Sequence, residues 1–462
     1  MNRYLLTLFV SLTSIGGCSA LDDPKYYTQK SANIEKTGRQ IVIFFDGTDN
    51  TLYPPLADNR NTNVGKLWHH LSTNERNDLL KFYIEGVGAG GKTIGAATGW
   101  GTDYRVKKAY SYILKNYKAD DDIHIVGFSR GAYSARILAS MLYIAGVPKI
   151  PSSSPFDDYQ DISAQIYDNF KGEMTAQERT EKLCENVKVF NSKCDGLTVR
   201  VNTLILFDTV ETLGAVDTWE AALYKLRMRK GSIDVGERNK RYGDQLCNVD
   251  LALHALSIDD NRPDVFTPRL LTLDHVYRNC AEDTTADILR YKNVREVWFS
   301  GAHSDVGGGY ENITGQESLR SNISLKWVYE QLAKDRDKLL KGVPTLETSS
   351  TAITHNAHLH GESIYREGQR EIPGHAESSE KIKGLKHTIH CSVIEKLATQ
   401  TIAKHEYKWL AERKTGQCLV RRKDGYLHYS GSATPQKACS DNKIVLDSTH
   451  CSFAIYQPEP TM

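Results

Sequence analysis

A five-residue motif, GFSRG at residues 127–131, constrains the fold of this 462-residue chain more than any other feature. It follows a short apolar run, Ile123–Phe128, and it opens a helix-like stretch, Arg130–Ala145. GxSxG in this setting is typical of a sharp strand-to-helix turn, in which the flanking glycines avoid clashes and the serine adopts a strained conformation. The motif predicts that Ser129 is an exposed nucleophile, and a simple packing turn is the alternative.

Further apolar runs along the chain predict the sheet that would carry this turn. Each run is short, rich in β-branched or aromatic residues, and ends at Gly, Asp or Ser. The runs are Ile41–Phe45, Lys81–Ile84, Thr203–Phe207 and Val294–Phe299, and helix-like stretches between them include Thr102–Tyr117 and Leu319–Leu332. Buried strands that alternate with helices predict an α/β fold with a doubly wound, mostly parallel sheet.

A serine nucleophile needs a base and an orienting acid, and on this architecture they follow in the order Ser, Asp, His. Asp208 comes directly after the strand Thr203–Phe207, and His303 follows Val294–Phe299. Both are therefore expected at the carboxyl ends of strands, where open α/β sheets place their sites. The sequence predicts a catalytic set of Ser129, Asp208 and His303 that requires no cofactor and no metal.

Other residues remain open as members of this set. Asp305 could replace Asp208 as the acid, and His387 or His390 could supply the base. The Arg130 N–H, at the start of the helix, is expected to stabilise the oxyanion that forms on the substrate. His355, His358 and His360 lie in a polar stretch, and we expect them to be solvated and not to bind a metal.

Five motifs, in this order along residues 40–330, resemble those of one known family. They are FDGT at 45–48, GVG at 86–88, GFSRGA at 127–132, DTV at 208–210 and HSDVGGGY at 303–310. The family is the α/β-hydrolase domain of the class-one type VI secretion phospholipase effectors. The resemblance implies lipid ester hydrolysis with Ser129 as nucleophile, Asp208 as acid and His303 as base, and a second oxyanion N–H from Gly47 or Thr48.

The predicted function is therefore a serine ester hydrolase, a lipase or phospholipase whose substrate is a membrane lipid. A non-catalytic surface lipoprotein that uses the hydrolase fold for binding is the alternative.

The segment GVGAGGKT at 86–93 also matches the GxxxxGK[ST] pattern of a phosphate-binding loop, but Gly95, Gly99 and Gly101 disfavour the helix that such a loop requires. We expect these glycines to form a loop near the active edge of the sheet.

Composition excludes several other classes of protein. Lys and Arg number 58 against 57 Asp and Glu, so the charge gives no electrostatic basis for binding nucleic acid. A mean hydropathy of −0.46 excludes a polytopic membrane protein.

The first residues resemble a bacterial lipoprotein signal. Arg3 precedes an apolar run, Tyr4–Ile15, and the small residues Gly16 and Gly17 lead to Cys18. Cleavage before Cys18 would leave a lipidated cysteine that anchors the protein to a bacterial membrane. Ser19 at the next position favours the outer membrane, facing the periplasm or the cell surface. An ordinary cleaved signal peptide is the alternative.

Eight cysteines besides Cys18 fit an exported protein with up to four disulfides, among which a Cys184–Cys194 pair would close a short polar loop.

The chain is predicted to divide into a signal peptide, a tether, a hydrolase domain with two insertions, a polar loop with a helix, and a small β appendage. The boundaries are residues 1–17, 18–38, 39–342 with insertions at about 150–200 and 210–290, 343–415 with the helix from about Thr388 to Arg413, and 416–462.

Overall fold

The computed structural model describes the predicted hydrolase domain and short parts of the C-terminal region. The described residues are 25–30, 38–54, 60–73, 76–89, 101–150, 156–172, 174–187, 189, 199–210, 245–262, 266, 268–271, 293–311, 316–335, 339–340, 342–357, 387–390, 392–393, 421–423, 426–428 and 444–447.

Eleven strands are formed by these residues. They are β1 (Tyr26–Lys30), β2 (Gln40–Phe45), β3 (Leu79–Ile84), β4 (Asp122–Phe128), β5 (Thr203–Phe207), β6 (Ala252–Ser257), β7 (Val294–Phe299), β8 (His387–His390), β9 (Arg421–Lys423), β10 (Tyr426–His428) and β11 (Ile444–Asp447). Nine of them form one sheet in the order β1-β3-β2-β4-β5-β6-β7-β8-β11. All pairings in this sheet are parallel except that of β1 with β3.

The helices lie along the chain between these strands. They are α1 (Asn63–Thr73), α2 (Thr102–Asn116), α3 (Arg130–Ala145), α4 (Phe156–Phe170), α5 (Ala176–Asn186), α6 (His303–Gly307) and α7 (Glu317–Asp335).

Strand β2 shows why helices cover both faces of the sheet. Ile41, Ile43 and Phe45 belong to one buried apolar cluster, together with residues of α2 and α3. Val42 and Phe44, which point to the opposite face, belong to a second cluster with residues of α1 and α7. A strand that is apolar at every position is stable only when both faces are covered. The prediction of a doubly wound, mostly parallel α/β sheet is therefore confirmed.

Three strands differ from the sequence-based expectations. Residues 26–30, within the predicted tether, form β1, because Tyr27 packs against Tyr83 and the backbone pairs with the edge of β3. Strand β6 was not predicted, since its sequence, ALHALS, lacks the β-branched residues of its neighbours and is held by pairing on both sides. The helix expected from about Thr388 is wrong at its start, where β8 pairs with β7.

The C-terminal region contributes to two sheets. Strands β9 and β10 form a two-stranded antiparallel hairpin, whereas β11 pairs in parallel with β8 at the edge of the main sheet. The predicted boundaries of the C-terminal segments stay predictions, because most residues after 357 lie outside the described residues.

The predicted insertion at 150–200 contains α4 and α5, and α5 begins with a capping box in which Thr175 and Glu178 bond each other's backbone N–H groups. Cys184 and Cys247 are in disulfide form, but Cys194 lies outside the described residues, so its pairing stays a prediction. No helix within the described ranges is both long and apolar enough to cross a bilayer.

Candidate active site

Ser129 occupies the sharp turn between β4 and α3. Its backbone angles, φ 57° and ψ −128°, lie in a region that residues with a side chain rarely adopt. The turn requires glycine on both sides: a Cβ at Gly127 would lie 2.6 Å from Ala132 Cα, and one at Gly131 would lie 2.3 Å from the Phe45 carbonyl oxygen. The turn predicted from the GFSRG motif is present at the carboxyl edge of the sheet. Ser129 itself is only 5% exposed, so the prediction that the serine is exposed is wrong.

Asp208 and His303 form a hydrogen-bonded pair at the same edge. His303 Nδ1 lies 2.5 Å from Asp208 Oδ2, and both residues are buried. Asp208 has a positive φ of 42°, and its other oxygen accepts a bond of 2.9 Å from the Ser257 N–H. The acid is therefore held on both oxygens, and it fixes the orientation of the imidazole.

Backbone contacts join this pair to the Ser129 turn. The Ser129 N–H donates to the Phe207 carbonyl at 3.0 Å, and the Val210 N–H lies 3.4 Å from the Ser129 carbonyl oxygen. Phe128, the residue before the serine, contacts the His303 ring with centroids 4.7 Å apart. Elements far apart in sequence thus place the Asp208–His303 pair beside the Ser129 turn, although no hydrogen bond joins Ser129 Oγ to His303 Nε2.

The other ring nitrogen of His303 has no hydrogen-bond partner. Nε2 is buried and unbonded in the described part of the chain. Because Nδ1 faces the Asp208 carboxylate, Nδ1 carries the proton and Nε2 presents a lone pair. Burial lowers the pKa of His303, an effect that the hydrogen bond to Asp208 opposes. The ring is therefore neutral at pH 7 and able to accept a proton at Nε2.

Aromatic and charged side chains enclose the His303 ring. Phe266 packs edge-on against it at 4.8 Å, and the Arg262 guanidinium lies 3.5 Å from the Phe266 centroid. Arg262 also pairs with Asp260 at 2.7 Å, and the Asp260 carboxylate accepts a bond of 3.1 Å from the His303 N–H. These contacts hold the histidine backbone and one face of its ring.

The loop after β2 lies beside the Ser129 turn. Asp46 is fully buried, and it accepts hydrogen bonds from Gly47 N–H at 2.7 Å, Thr62 Oγ1 at 2.8 Å and the Tyr83 hydroxyl. Burial raises its pKa to about 6, although these donors oppose the shift. The Arg105 guanidinium bonds the Asp46 carbonyl oxygen at 2.5 Å. The loop is thus fixed by a buried polar network.

This network distinguishes between the two backbone N–H groups, of Gly47 and Thr48, that were expected to stabilise the oxyanion. The Gly47 N–H is already bonded to the Asp46 carboxylate, whereas the Thr48 N–H has no acceptor among the residues that the structure describes. Arg130 Nε donates to Thr48 Oγ1 and thereby ties the start of α3 to this loop. Thr48 and Arg130 therefore stay candidates for the oxyanion site, and Gly47 is unsuited because its donor is used.

The glycine segment after β3 packs against the same loop. Gly86 N–H donates to Asn50 O at 2.9 Å, and Asp49 N–H donates to Val87 O at 3.0 Å. The segment 86–88 therefore supports the loop after β2, as expected of a loop at the active edge.

The alternative acid and base take part in other contacts. Asp305 pairs with His355 Nδ1 at 2.6 Å and accepts the Ala302 N–H at 2.9 Å, so it caps α6. His355 stacks on Tyr310 at 3.8 Å and is buried, which contradicts the expectation that it is solvated. His390 Nδ1 lies 3.1 Å from Ser392 Oγ. Asp208 bonds His303, so neither Asp305 nor His390 replaces a member of the pair.

His387 lies in β8, and His358 and His360 fall outside the described residues. Within the described ranges, no cluster of His, Cys, Asp and Glu side chains is arranged to hold a metal ion.

Sequence reasoning missed a second buried histidine beside the site. His254, on β6, faces Glu296 Oε2 through Nδ1 at 2.9 Å, and its Nε2 accepts the Thr209 N–H at 3.1 Å. It thereby holds the residue after Asp208. A single histidine within an apolar run, ALHALS, was the available signal.

The chain matches a family model described as "T6SS, Phospholipase effector Tle1-like, catalytic domain" over residues 39–331. It is 23% identical over 305 residues to the uncharacterized protein YEL023C of Saccharomyces cerevisiae, and the match covers 58% of this chain and 40% of that protein. The chain thus spans well under two thirds of the length of this curated relative.

Solved structures align with low similarity. An uncharacterized protein from Pseudomonas aeruginosa aligns with a TM-score of 0.35 at 18% identity, covering 64% of this chain and 45% of that one. The Tle1 effector bound to the VgrG spike of the type 6 secretion system gives 0.30 at 19%, covering 60% and 52%. A lipase/esterase from Lactobacillus plantarum gives 0.33 at 10%, covering 69% and 94%.

The family match covers more than half of the chain, and it contains the Ser129 turn, the Asp208–His303 pair and the loop after β2. The chain belongs to the family of type VI secretion Tle1-like phospholipase effector catalytic domains.

Proposed function

We propose that the protein is a serine ester hydrolase that cleaves an acyl ester of a membrane phospholipid. Ser129 is the nucleophile, His303 the general base and Asp208 the residue that orients the base. The observation that carries the proposal is the unbonded Nε2 of a buried histidine whose Nδ1 faces a carboxylate, beside a strained serine turn.

In the first step, Ser129 Oγ attacks the ester carbonyl carbon while His303 Nε2 takes the hydroxyl proton. The carbonyl oxygen becomes an oxyanion, which the Arg130 and Thr48 N–H groups stabilise. The C–O bond to the lipid alcohol then breaks, and that alcohol leaves with the proton from His303. An acyl-serine ester remains.

In the second step, a water molecule gives its proton to His303 Nε2 and attacks the acyl-serine carbonyl. The bond to Ser129 Oγ breaks, the serine recovers its proton, and the fatty acid leaves. Asp208 stays ionised throughout and stabilises the imidazolium that forms in each step.

Family membership supports the choice of a lipid substrate. We propose further that lipidated Cys18 anchors the protein to a bacterial membrane, and that Ser19, the next residue, directs it to the outer membrane. The anchor then holds the enzyme at a surface that contains its lipid substrate. The apolar run Tyr4–Ile15 and the small residues before Cys18, which resemble a bacterial lipoprotein signal, support this placement.

The test is acyl-chain release from a panel of phospholipid vesicles and from a soluble short-chain ester by the purified mature protein. Ser129→Ala should abolish release from both. Ser140→Ala is the matched control: its hydroxyl is buried on the same helix without a hydrogen-bond partner in the described part of the chain, so its loss should leave the rate unchanged.

Equal rates for the wild type and Ser129→Ala would contradict the proposed nucleophile. Binding to vesicles with no release from any substrate would favour the alternative, a surface lipoprotein that uses the fold for binding.

A further inference from the structure

The direction of β1 determines where the N-terminal segment meets the fold. β1 runs antiparallel to β3, with Tyr26 opposite Ile84 and Lys30 opposite Leu80. Ile84 is at the carboxyl end of β3, next to Phe45 at the carboxyl end of β2. The chain therefore enters the sheet at the edge that carries Ser129 and His303, and not at the opposite edge.

Side-chain contacts connect this entry point to the loop after β2. The Lys25 carbonyl accepts the Glu85 N–H at 3.0 Å, and the Tyr27 hydroxyl donates to Glu85 Oε1 at 2.9 Å. Thr51, within that loop, donates to the same carboxylate oxygen. The entry of the chain is thus fixed relative to the site.

The short distance in sequence limits where Cys18 can lie. Seven residues, 19–25, separate Cys18 from β1, and seven residues span at most about 25 Å when fully extended. The six-residue strands place the amino edge of the sheet roughly 20 Å from the carboxyl edge. An anchor at the amino edge would use almost the whole reach of this segment, whereas an anchor at the carboxyl edge needs little of it.

The surface at the entry point suits a lipid–water interface. Tyr26 is 46% exposed, among the most exposed large hydrophobic side chains of the described residues, and Lys25 is exposed beside it. Tyrosine is enriched at membrane interfaces because its ring is apolar and its hydroxyl is polar, and lysine favours an anionic membrane surface.

We propose that lipidated Cys18 orients the catalytic edge of the sheet toward the membrane that anchors the protein. β1 acts as the rigid connection, so the hydrolase takes phospholipid from its own membrane and not from a facing one. This inference rests on the proposed function and on lipidation at Cys18.

The experiment measures the distance from two sites of the lipidated full-length protein to the membrane. Lys25 or Ala119 is replaced by an alkyne-bearing amino acid and labelled with one donor dye. Ala119 is the matched control, since it is exposed in the turn before β4, at the amino edge. Vesicles of ether-linked phosphatidylethanolamine and phosphatidylglycerol, which an esterase cannot cleave, carry an acceptor-labelled lipid.

We expect energy transfer to place the dye at position 25 on the order of 20 Å nearer to the membrane than the dye at position 119. Equal distances, or a nearer position 119, would overturn the proposal. Cys18→Ser should lose transfer from both positions, and retained transfer would show that the cysteine is not the anchor and would overturn it as well.

Hydrolysis of a soluble short-chain ester by the same preparations reports on the proposed function separately. Ester hydrolysis with equal distances refutes only the orientation, whereas the expected distances without hydrolysis refute only the enzymatic proposal.

Discussion

Two buried histidines near the carboxyl edge of the sheet show what separates a reactive pair from a structural one. His303 and His254 each face a carboxylate through Nδ1, at 2.5 Å and 2.9 Å. They differ at Nε2: that of His254 accepts the Thr209 N–H, whereas that of His303 is unbonded within the described part of the chain.

An acid–imidazole pair is therefore insufficient evidence for catalysis. When both ring nitrogens of a histidine are hydrogen-bonded within the protein, neither is open to a substrate, and the side chain holds its neighbours in place. A histidine with one open nitrogen beside a strained serine retains a lone pair for a proton. This difference supports the proposal that His303 is the base, whereas His254 positions Thr209.

The largest expected effect comes from removing the open imidazole. His303→Ala should lower kcat/KM on the order of 10⁴–10⁶-fold, because Ser129 loses the group that accepts its proton. Steady-state hydrolysis of a short-chain ester measures the loss. A decrease of less than about tenfold, measured on protein with an unchanged unfolding transition, would contradict the different roles proposed for His303 and His254.

The next effect concerns the acid that orients His303. Asp208→Asn should lower kcat on the order of 10⁴-fold, because the amide no longer fixes the tautomer or stabilises the imidazolium. A pH profile of kcat/KM sharpens the test.

Burial lowers the pKa of His303 below its ordinary 6.5, and the Asp208 carboxylate raises it in part. In the wild type, activity should therefore rise as the pH increases through a midpoint below 6.5, as the ring loses its proton. Without the carboxylate the midpoint should move lower still. A midpoint that moves up in Asp208→Asn would contradict the assigned pair.

A smaller effect on activity, with a clear effect on stability, is expected at the second histidine. His254→Ala removes the hydrogen bond to Glu296 Oε2 and the acceptor of the Thr209 N–H in the interior, which should cost about 1–3 kcal/mol of unfolding free energy. Denaturant titration measures this cost. His254→Gln, whose amide can both donate and accept, should recover part of it. A variant that is stable but as inactive as His303→Ala would show that His254 takes part in the chemistry.

The smallest effect is expected at Asp46, another group whose hydrogen bonds are complete. Burial raises its pKa from 3.8 to about 6, so its protonated form favours the folded state. Its contribution to stability should be full below about pH 4 and be lost as the pH rises through about 6. Asp46→Asn should remove this dependence. Denaturant midpoints at about pH 4 and about pH 7 measure it, and an unchanged dependence would exclude Asp46 as its source.

The sequence was sufficient to predict those features of the site that are local or that follow from the direction of the strands. The Ser129 turn depends on adjacent glycines and on a strand and helix that are contiguous with it. Asp208 and His303 were predictable because each follows a buried strand, and the carboxyl ends of parallel strands meet at one edge.

Features that depend on distant partners could not be predicted. Strand β6 has weak β propensity, and only its two neighbours make it a strand. The role of His254 depends on Glu296 and Thr209, which lie 42 and 45 residues away in sequence. Gly47 and Thr48 were equivalent in sequence, and the Asp46 carboxylate, which takes the Gly47 N–H, distinguishes them.

Mass spectrometry of the purified protein after reaction with a fluorophosphonate tests most directly whether Ser129 is the nucleophile. An activated serine displaces fluoride from this reagent and becomes a phosphonate ester. If Ser129 is the nucleophile and His303 its base, we expect one adduct, on the peptide that contains Ser129, formed by wild type and His254→Gln and absent from His303→Ala. Wild-type protein that hydrolyses phospholipid while Ser129 stays unmodified, or an adduct on another serine, would contradict this assignment.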